Sequence, residues 1–177
     1  MTELARGRSI SLSAPSAGDR DEFLEAVARS RRLHGRWVSP PSDTVAFAAY
    51  LKKVGADDAA GLFARRNNDH ALVGALTLSH IVRGPFRCAF LGYYAFEPHQ
   101  AKGSMTEALE LTLRFVFGTL RLHRVEANIQ PDNTASIALV RRCGFRLEGF
   151  SPRYLKVAGR WRDHERWAIT GEDRRRT

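Results

Sequence analysis

Cysteine is nearly absent. Only Cys88 and Cys143 occur in 177 residues, with no Cys-x-x-Cys and no Cys/His pattern at metal-ligand spacing. That argues against a disulfide framework and against a zinc site. Both cysteines sit among apolar neighbours and read as core residues, not as nucleophiles. Long apolar runs are missing too: nothing approaches the roughly 20 residues that a spanning helix needs. The first eight residues, MTELARGR, lack the apolar centre of a signal peptide. The expectation is a cytoplasmic protein with no membrane partner and no metal. Acidic residues are in deficit, 19 against 28 basic, for a net charge of +9. Such an excess raises encounter rates with anions, acidic proteins or RNA without choosing among them. No RNA-binding motif is present.

What remains is an ordinary globular composition, 44% hydrophobic, in a chain long enough for one sizeable core. No internal repeat or linker interrupts it. Residues 8–14 alternate and read as a strand ending at Pro15. Residues 17–33 carry Phe23, Leu24, Val27 and Leu33 at helical spacing, with Ser16 or Asp19 as cap. The following HGRWVSPP cannot be helical through its two prolines. A second helix runs from Ser42 or Asp43 to Val54. Residues 61–66 and 72–82 read as a strand hairpin about Asn67-Asn68-Asp69, and 87–96 as a further strand. A helix over 104–120, a strand over 122–130, a helix over 133–142 and a hairpin of 145–157 with 160–169 complete the chain. The expected architecture is α/β (α+β): a mixed sheet of about seven strands flanked by four helices. One domain is expected over 8–170, with a basic tail over 171–177.

One stretch carries chemistry. The strand-type run 89–96 breaks at Pro98 and restarts as a helix at Met105, with His99-Gln100-Ala101-Lys102-Gly103-Ser104 between. A strand that ends in a Gly-containing loop and opens a helix aims unpaired N–H groups at one point, where the helix dipole and Lys102 add positive potential. That is a phosphate or pyrophosphate site. An ordinary strand-to-helix turn, using Gly103 for its backbone freedom alone, is the competing reading.

A second stretch bears on that choice. Residues 122–150 contain His123-Arg124, Asn128, Pro131, Asn133, Ser136, Gly144-Phe145 and Glu148-Gly149. Together with Gln100-Ala101-Lys102-Gly103-Ser104-Met105 they resemble the GNAT superfamily of acetyl-CoA-dependent N-acetyltransferases. Within it they are most similar to the ribosomal-protein-alanine (RimJ/RimL-type) branch. Met105 departs from the Gly/Ala that usually closes the first motif.

The resemblance implies the GNAT fold, with a mostly antiparallel mixed sheet, and acetyl-CoA as cofactor. It also implies transfer of the acetyl group to an amine by direct attack, the amine being the N-terminal α-amine of a protein. A small-molecule amine acceptor, and a non-catalytic CoA-binding or ribosome-associated module, stay open as alternatives. Residues 100–105 are implied as the pyrophosphate cradle. The backbone of Tyr94, Ala95 and Phe96 is implied along the acetyl arm, with Asn128 and Asn133 facing it. Glu148 is implied as general base and Ser136 as donor to the departing thiolate. Glu97 is a second candidate base, and Tyr93, Tyr94 and Tyr154 are alternative acids. Ser136 as a small residue making room for the cofactor, and Glu148 as a sheet-surface carboxylate paired with Arg153, are the structural alternatives. The first two helices and their loop would wall the acceptor site, with Trp37 on it or packed under the Pro-Pro turn. His123 reads first as structural. The charged run 160–167 reads first as the solvent side of a strand, with a role at the acceptor rim as the alternative.

Overall fold

The structure, a computed structural model, describes residues 2–99 and 103–174. Eight strands form one sheet: β1 (Glu3–Arg6), β2 (Ile10–Ser13), β3 (Ala60–Arg66), β4 (Leu72–Val82), β5 (Cys88–Ala95), β6 (Arg124–Ile129), β7 (Arg146–Val157) and β8 (Arg160–Thr170). Their order is β1-β2-β3-β4-β5-β6-β8-β7. Every neighbouring pair is antiparallel except β5 with β6. The helices are α1 (Arg20–Arg29), α2 (Arg31–His34), α3 (Thr44–Val54), α4 (Ser104–Arg114), α5 (Thr134–Arg142) and α6 (Gly171–Arg174).

The sheet therefore has one strand more than expected. Sequence reading began at residue 8 and missed β1, a four-residue edge strand, half-exposed and charged at both ends. Such a strand carries no core alternation and protects the sheet edge. The helix expected over 104–120 is shorter. α4 ends at Arg114 and widens into a π-type turn, Phe115–Thr119, where Leu120 N–H donates to Phe115 O at 3.0 Å. Gly118 lies in this turn, and glycine is a weak helix former.

Alternation along the central strands builds two cores. On one face Leu62 and Ala64 of β3 and Ala89 and Leu91 of β5 pack with Leu109 and Leu113 of α4 and Val140 of α5. On the other, Phe63 and Phe96 meet Phe23 of α1 and Phe47 of α3. Phe23 stacks on Phe63 at 5.3 Å and meets Phe96 edge-on at 5.7 Å. Burying each such ring stabilises by about 1.5–3 kcal/mol. The two residues Tyr93 and Tyr94 consequently part company: Tyr93 lies on the α4/α5 face and Tyr94 on the α1–α3 face. Among the described residues no helix is long and apolar enough to cross a membrane.

Candidate active site

β5 and β6 pair only at Cys88↔Arg124, Ala89↔Val125 and Phe90↔Glu126. Beyond that, β5 stays paired with β4 as far as Ala95, and β6 with β8 as far as Ile129. The two parallel strands splay apart, and their facing edges line a cleft of about 670 Å³. Phe96 N–H donates to Val73 O of β4 at 2.9 Å. Successive strand residues turn their N–H and C=O groups to opposite edges, so those of Ala95 and Tyr93 face the cleft. Here the structure corrects an expectation. Phe96 offers no free N–H, because β4 takes it, and its ring is buried in the aromatic core. Tyr94 turns its backbone to β4 for the same reason. Of the three residues placed along the acetyl arm, Ala95 alone presents its main chain to the cleft.

His34, at the end of α2, occupies the place of a strand partner there. Its Nε2 donates to Ala95 O at 2.9 Å. The imidazole is buried and its pKa is lowered, chiefly by that burial. Sequence reading missed it, since a lone histidine at a helix end carries no pattern.

On the α4/α5 face the cleft is lined by Gly103, Met105 and Thr106 of the α4 start and by Asn133, Ser136 and Arg142 of α5. Gly103 stands at φ +80°, ψ −13°, in the left-handed region. Its carbonyl accepts from Thr106 N–H and Glu107 N–H; the N–H groups of Gly103, Ser104 and Met105, which precede the helix's own bonding, have no acceptor among the described residues. Gln100, Ala101 and Lys102 lie outside the described residues. Arg142, which sequence reading did not single out, reaches the same turn: its Nη1 donates to Thr106 Oγ1 at 3.2 Å. A positive side chain in the last turn of α5 was the available signal. Met105, the departure from the motif, lies against Gly74, where an added Cβ would collide with Met105 Sδ.

Asn133 caps α5, its side chain accepting from Ser136 N–H at 3.2 Å. Ser136 Oγ and Tyr93 Oη share a hydrogen bond of 2.6 Å. Burial is the largest cause of a raised Tyr93 pKa, partly opposed by the Ser136 bond, so the phenol holds its proton at neutral pH. Asn128 lines the cleft from β6 with its Oδ1 buried and unpartnered among the described residues. Such an atom asks for a ligand donor.

Glu148 is elsewhere. Its carboxylate is bound by Arg124 and Arg146, not by Arg153, and it does not line the cleft. The register Arg146↔Ala168↔Glu126 explains this. Ala168 is small, so side chains of β6 and β7 meet across β8 above it. The hydrogen bond from Arg124 is the largest cause holding the Glu148 carboxyl below its ordinary range. Glu148, expected as general base, thus stands outside the cleft lining with its carboxylate paired to two arginines. Glu97 does not line the cleft either; its N–H donates to Ser30 Oγ at 2.9 Å. His123 pairs with Glu172 at 3.3 Å, away from the cleft. Trp37 lines the cleft with Leu33 and Val38, its ring covered by the Arg36 guanidinium at 4.6 Å. Burial pushes the Cys143 thiol up to about 11 and raises that of Cys88 as well, so neither is a thiolate at neutral pH.

A mixed sheet opened between two parallel strands, with a helix N-terminus at the opening, defines an acetyltransferase-type domain. The chain belongs to the GNAT family: the acetyltransferase (GNAT) domain model matches residues 10–146. The [ribosomal protein uS5]-alanine N-acetyltransferase of Escherichia coli is 39% identical over 106 residues, 60% of this chain and 55% of that protein. This chain thus matches little more than half of that relative's length. A spermidine N(1)-acetyltransferase of Vibrio cholerae is 25% identical over 90% of this chain and 92% of its own. The structure of Mycobacterium smegmatis RimJ in complex with CoA-disulfide superposes with a TM-score of 0.86 at 26% identity, covering 98% of this chain and 91% of that one.

Proposed function

We propose that this chain transfers the acetyl group of acetyl-CoA to a primary amine, the α-amine of a protein N-terminus. The observation that carries it is the β5/β6 cleft, which opens to both faces of the sheet at once. The α4/α5 face suits the donor. There the N–H groups at the start of α4, unpaired among the described residues, with Arg142 beside them, suit a pyrophosphate. Bound in this way, acetyl-CoA supplies the thioester as acyl donor. Ala95 N–H points where a polarised carbonyl oxygen would need a donor, a contribution typically worth about 2.7–4 kcal/mol of barrier. The Tyr93–Ser136 hydroxyl pair is placed to protonate the departing sulfur.

The α1–α3 face suits the acceptor. Among the described residues no Asp or Glu lines the cleft. A polyamine carries several positive charges and needs carboxylates to hold them, whereas an N-terminus carries one. The uS5-alanine relative supports the same choice. So does the chemistry: at pH 7 an amine of pKa about 8 is roughly 10% neutral, and one of about 10.4 is below about 0.1%. Acetyl-CoA turnover against peptides with varied first residues is expected to exceed turnover of spermidine and of an Nα-blocked lysine peptide by at least about tenfold. Faster acetylation of spermidine would overturn the acceptor and leave the donor site standing.

Glu148→Gln is expected to leave this turnover unchanged. It should lower the thermal midpoint at pH 7 by no more than about 2–4 °C. Because the folded pKa is depressed, the ion pairs contribute above the ordinary carboxylate range and are lost as pH falls through the depressed value. The difference between variant and wild type in a thermal melt should therefore vanish in acid.

A further inference from the structure

We propose that His164 is the group that takes the proton from the acceptor amine, a role resting on the acetyl-transfer reading above. His164 lies on β8, one residue beyond the last β6–β8 pair, Ile129↔Glu165, and so opposite Gln130. It lines the cleft beside the acceptor wall, where Gln130 Nε2 reaches the carbonyls of Arg36 and Trp37 at 3.5 Å. Two residues from Arg166, the partner of Asn128, it shares the face of Asn128. That face is opposite the Tyr93–Ser136 pair, so proton acceptor and proton donor stand on the two sides of the splay.

The tautomer follows from geometry. His164 Nδ1 lies 2.9 Å from Arg162 O. A carbonyl only accepts, so Nδ1 carries the hydrogen. A neutral imidazole then keeps its lone pair on Nε2. No partner for Nε2 stands among the described residues. At 3% exposure the ring is desolvated, which lowers its pKa and favours the neutral form, while the hydrogen bond to Arg162 O and then Asp163 on the same strand oppose part of that shift. From β7 the Tyr154 ring packs at 6.3 Å. His34, the other histidine of this face, has its Nε2 committed to Ala95 O. Glu148, the carboxylate expected for this task, is held by two arginines.

In the step this assigns, the amine nitrogen forms a C–N bond to the acetyl carbon as the C–S bond breaks. The electron pair of that bond leaves on sulfur, which is protonated from the hydroxyl pair. The amine's hydrogen passes to Nε2. Exchange with solvent then resets both groups, so the net change is one N–H replaced by N-acetyl and one S–H formed.

The test uses the full chain with an N-terminal peptide as acceptor. His164→Asn keeps a donor toward Arg162 O and removes the basic nitrogen. It is expected to lower kcat about 10²-fold at pH 7, with acetyl-CoA affinity and thermal midpoint near those of wild type. The deficit should shrink as pH rises toward the amine's own pKa, and added imidazole should restore part of the rate to His164→Ala. A wild-type kcat in His164→Asn would overturn the role. So would a loss confined to the peptide KM, equal at every pH and insensitive to imidazole. Wild-type protein that binds acetyl-CoA yet acetylates no amine would instead remove the acetyl-transfer reading, and this role with it.

Discussion

Gly103→Val is expected to weaken acetyl-CoA binding by about 10- to 100-fold, equivalent to about 1.4–2.8 kcal/mol, in a calorimetric titration. At φ +80° an L side chain costs about 1–2 kcal/mol. Among the described residues a Cβ there would meet nothing within 4 Å, so the cost comes from the backbone. The turn can relieve it only by rotating, which re-aims the N–H groups of Gly103, Ser104 and Met105 away from a common point. The thermal midpoint should fall by no more than about 4–8 °C. Gly159 makes a matched control: it also has positive φ, +78°, and open space around its Cβ, but lies in the turn between β7 and β8. Gly159→Val should cost similar stability and leave affinity for acetyl-CoA untouched. Unchanged affinity in Gly103→Val would remove the pyrophosphate site from the start of α4.

Loss of the Tyr93–Ser136 hydroxyl pair is expected to lower kcat by about 10²- to 10³-fold, with a smaller change in KM. Tyr93→Phe removes the raised phenol and keeps its ring in the core. Ser136→Ala leaves the Asn133 cap in place, because that bond uses the Ser136 backbone N–H. The two hydroxyls are 2.6 Å apart, so they act as one unit, and the double variant should lose little more than the worse single one. Stopped-time assays of free thiol release would read both numbers. Strict additivity of the two losses would mean that the hydroxyls act separately, and full activity in both singles would exclude them as proton donors.

Much of the fold was legible because its signals are local. Alternation in β3 to β5, the helix spacing of Phe23 and Val27, the hairpin composition at Asn67-Asn68-Asp69 and the stop at Gly144 all act within a few residues. The strand that stops before Pro98 and the helix that follows Gly103 were legible for the same reason. β1 was not, since an exposed four-residue edge strand leaves no apolar period. The residues outside 2–99 and 103–174 include three of the predicted cradle, so that part of the motif stays a sequence expectation.

The chain's own order of residues determined the family and the helix start after Gly103, because each rests on short contiguous motifs. Tertiary structure alone decided which groups meet at the cleft. Arg124 and Glu148 are 24 residues apart and face each other only because β8 inserts between β6 and β7 with the small Ala168 at the crossing. That set the Glu148 carboxylate outside the cleft lining. Tyr93 and Tyr94 are adjacent in the chain yet lie on opposite faces, and only the pairing of β5 with β4 says which edge each main chain addresses. His34 and His164 arrive from α2 and β8 at one opening. The physical reason is the same in each case: side-chain direction is set by strand register, and register is a property of pairs of strands.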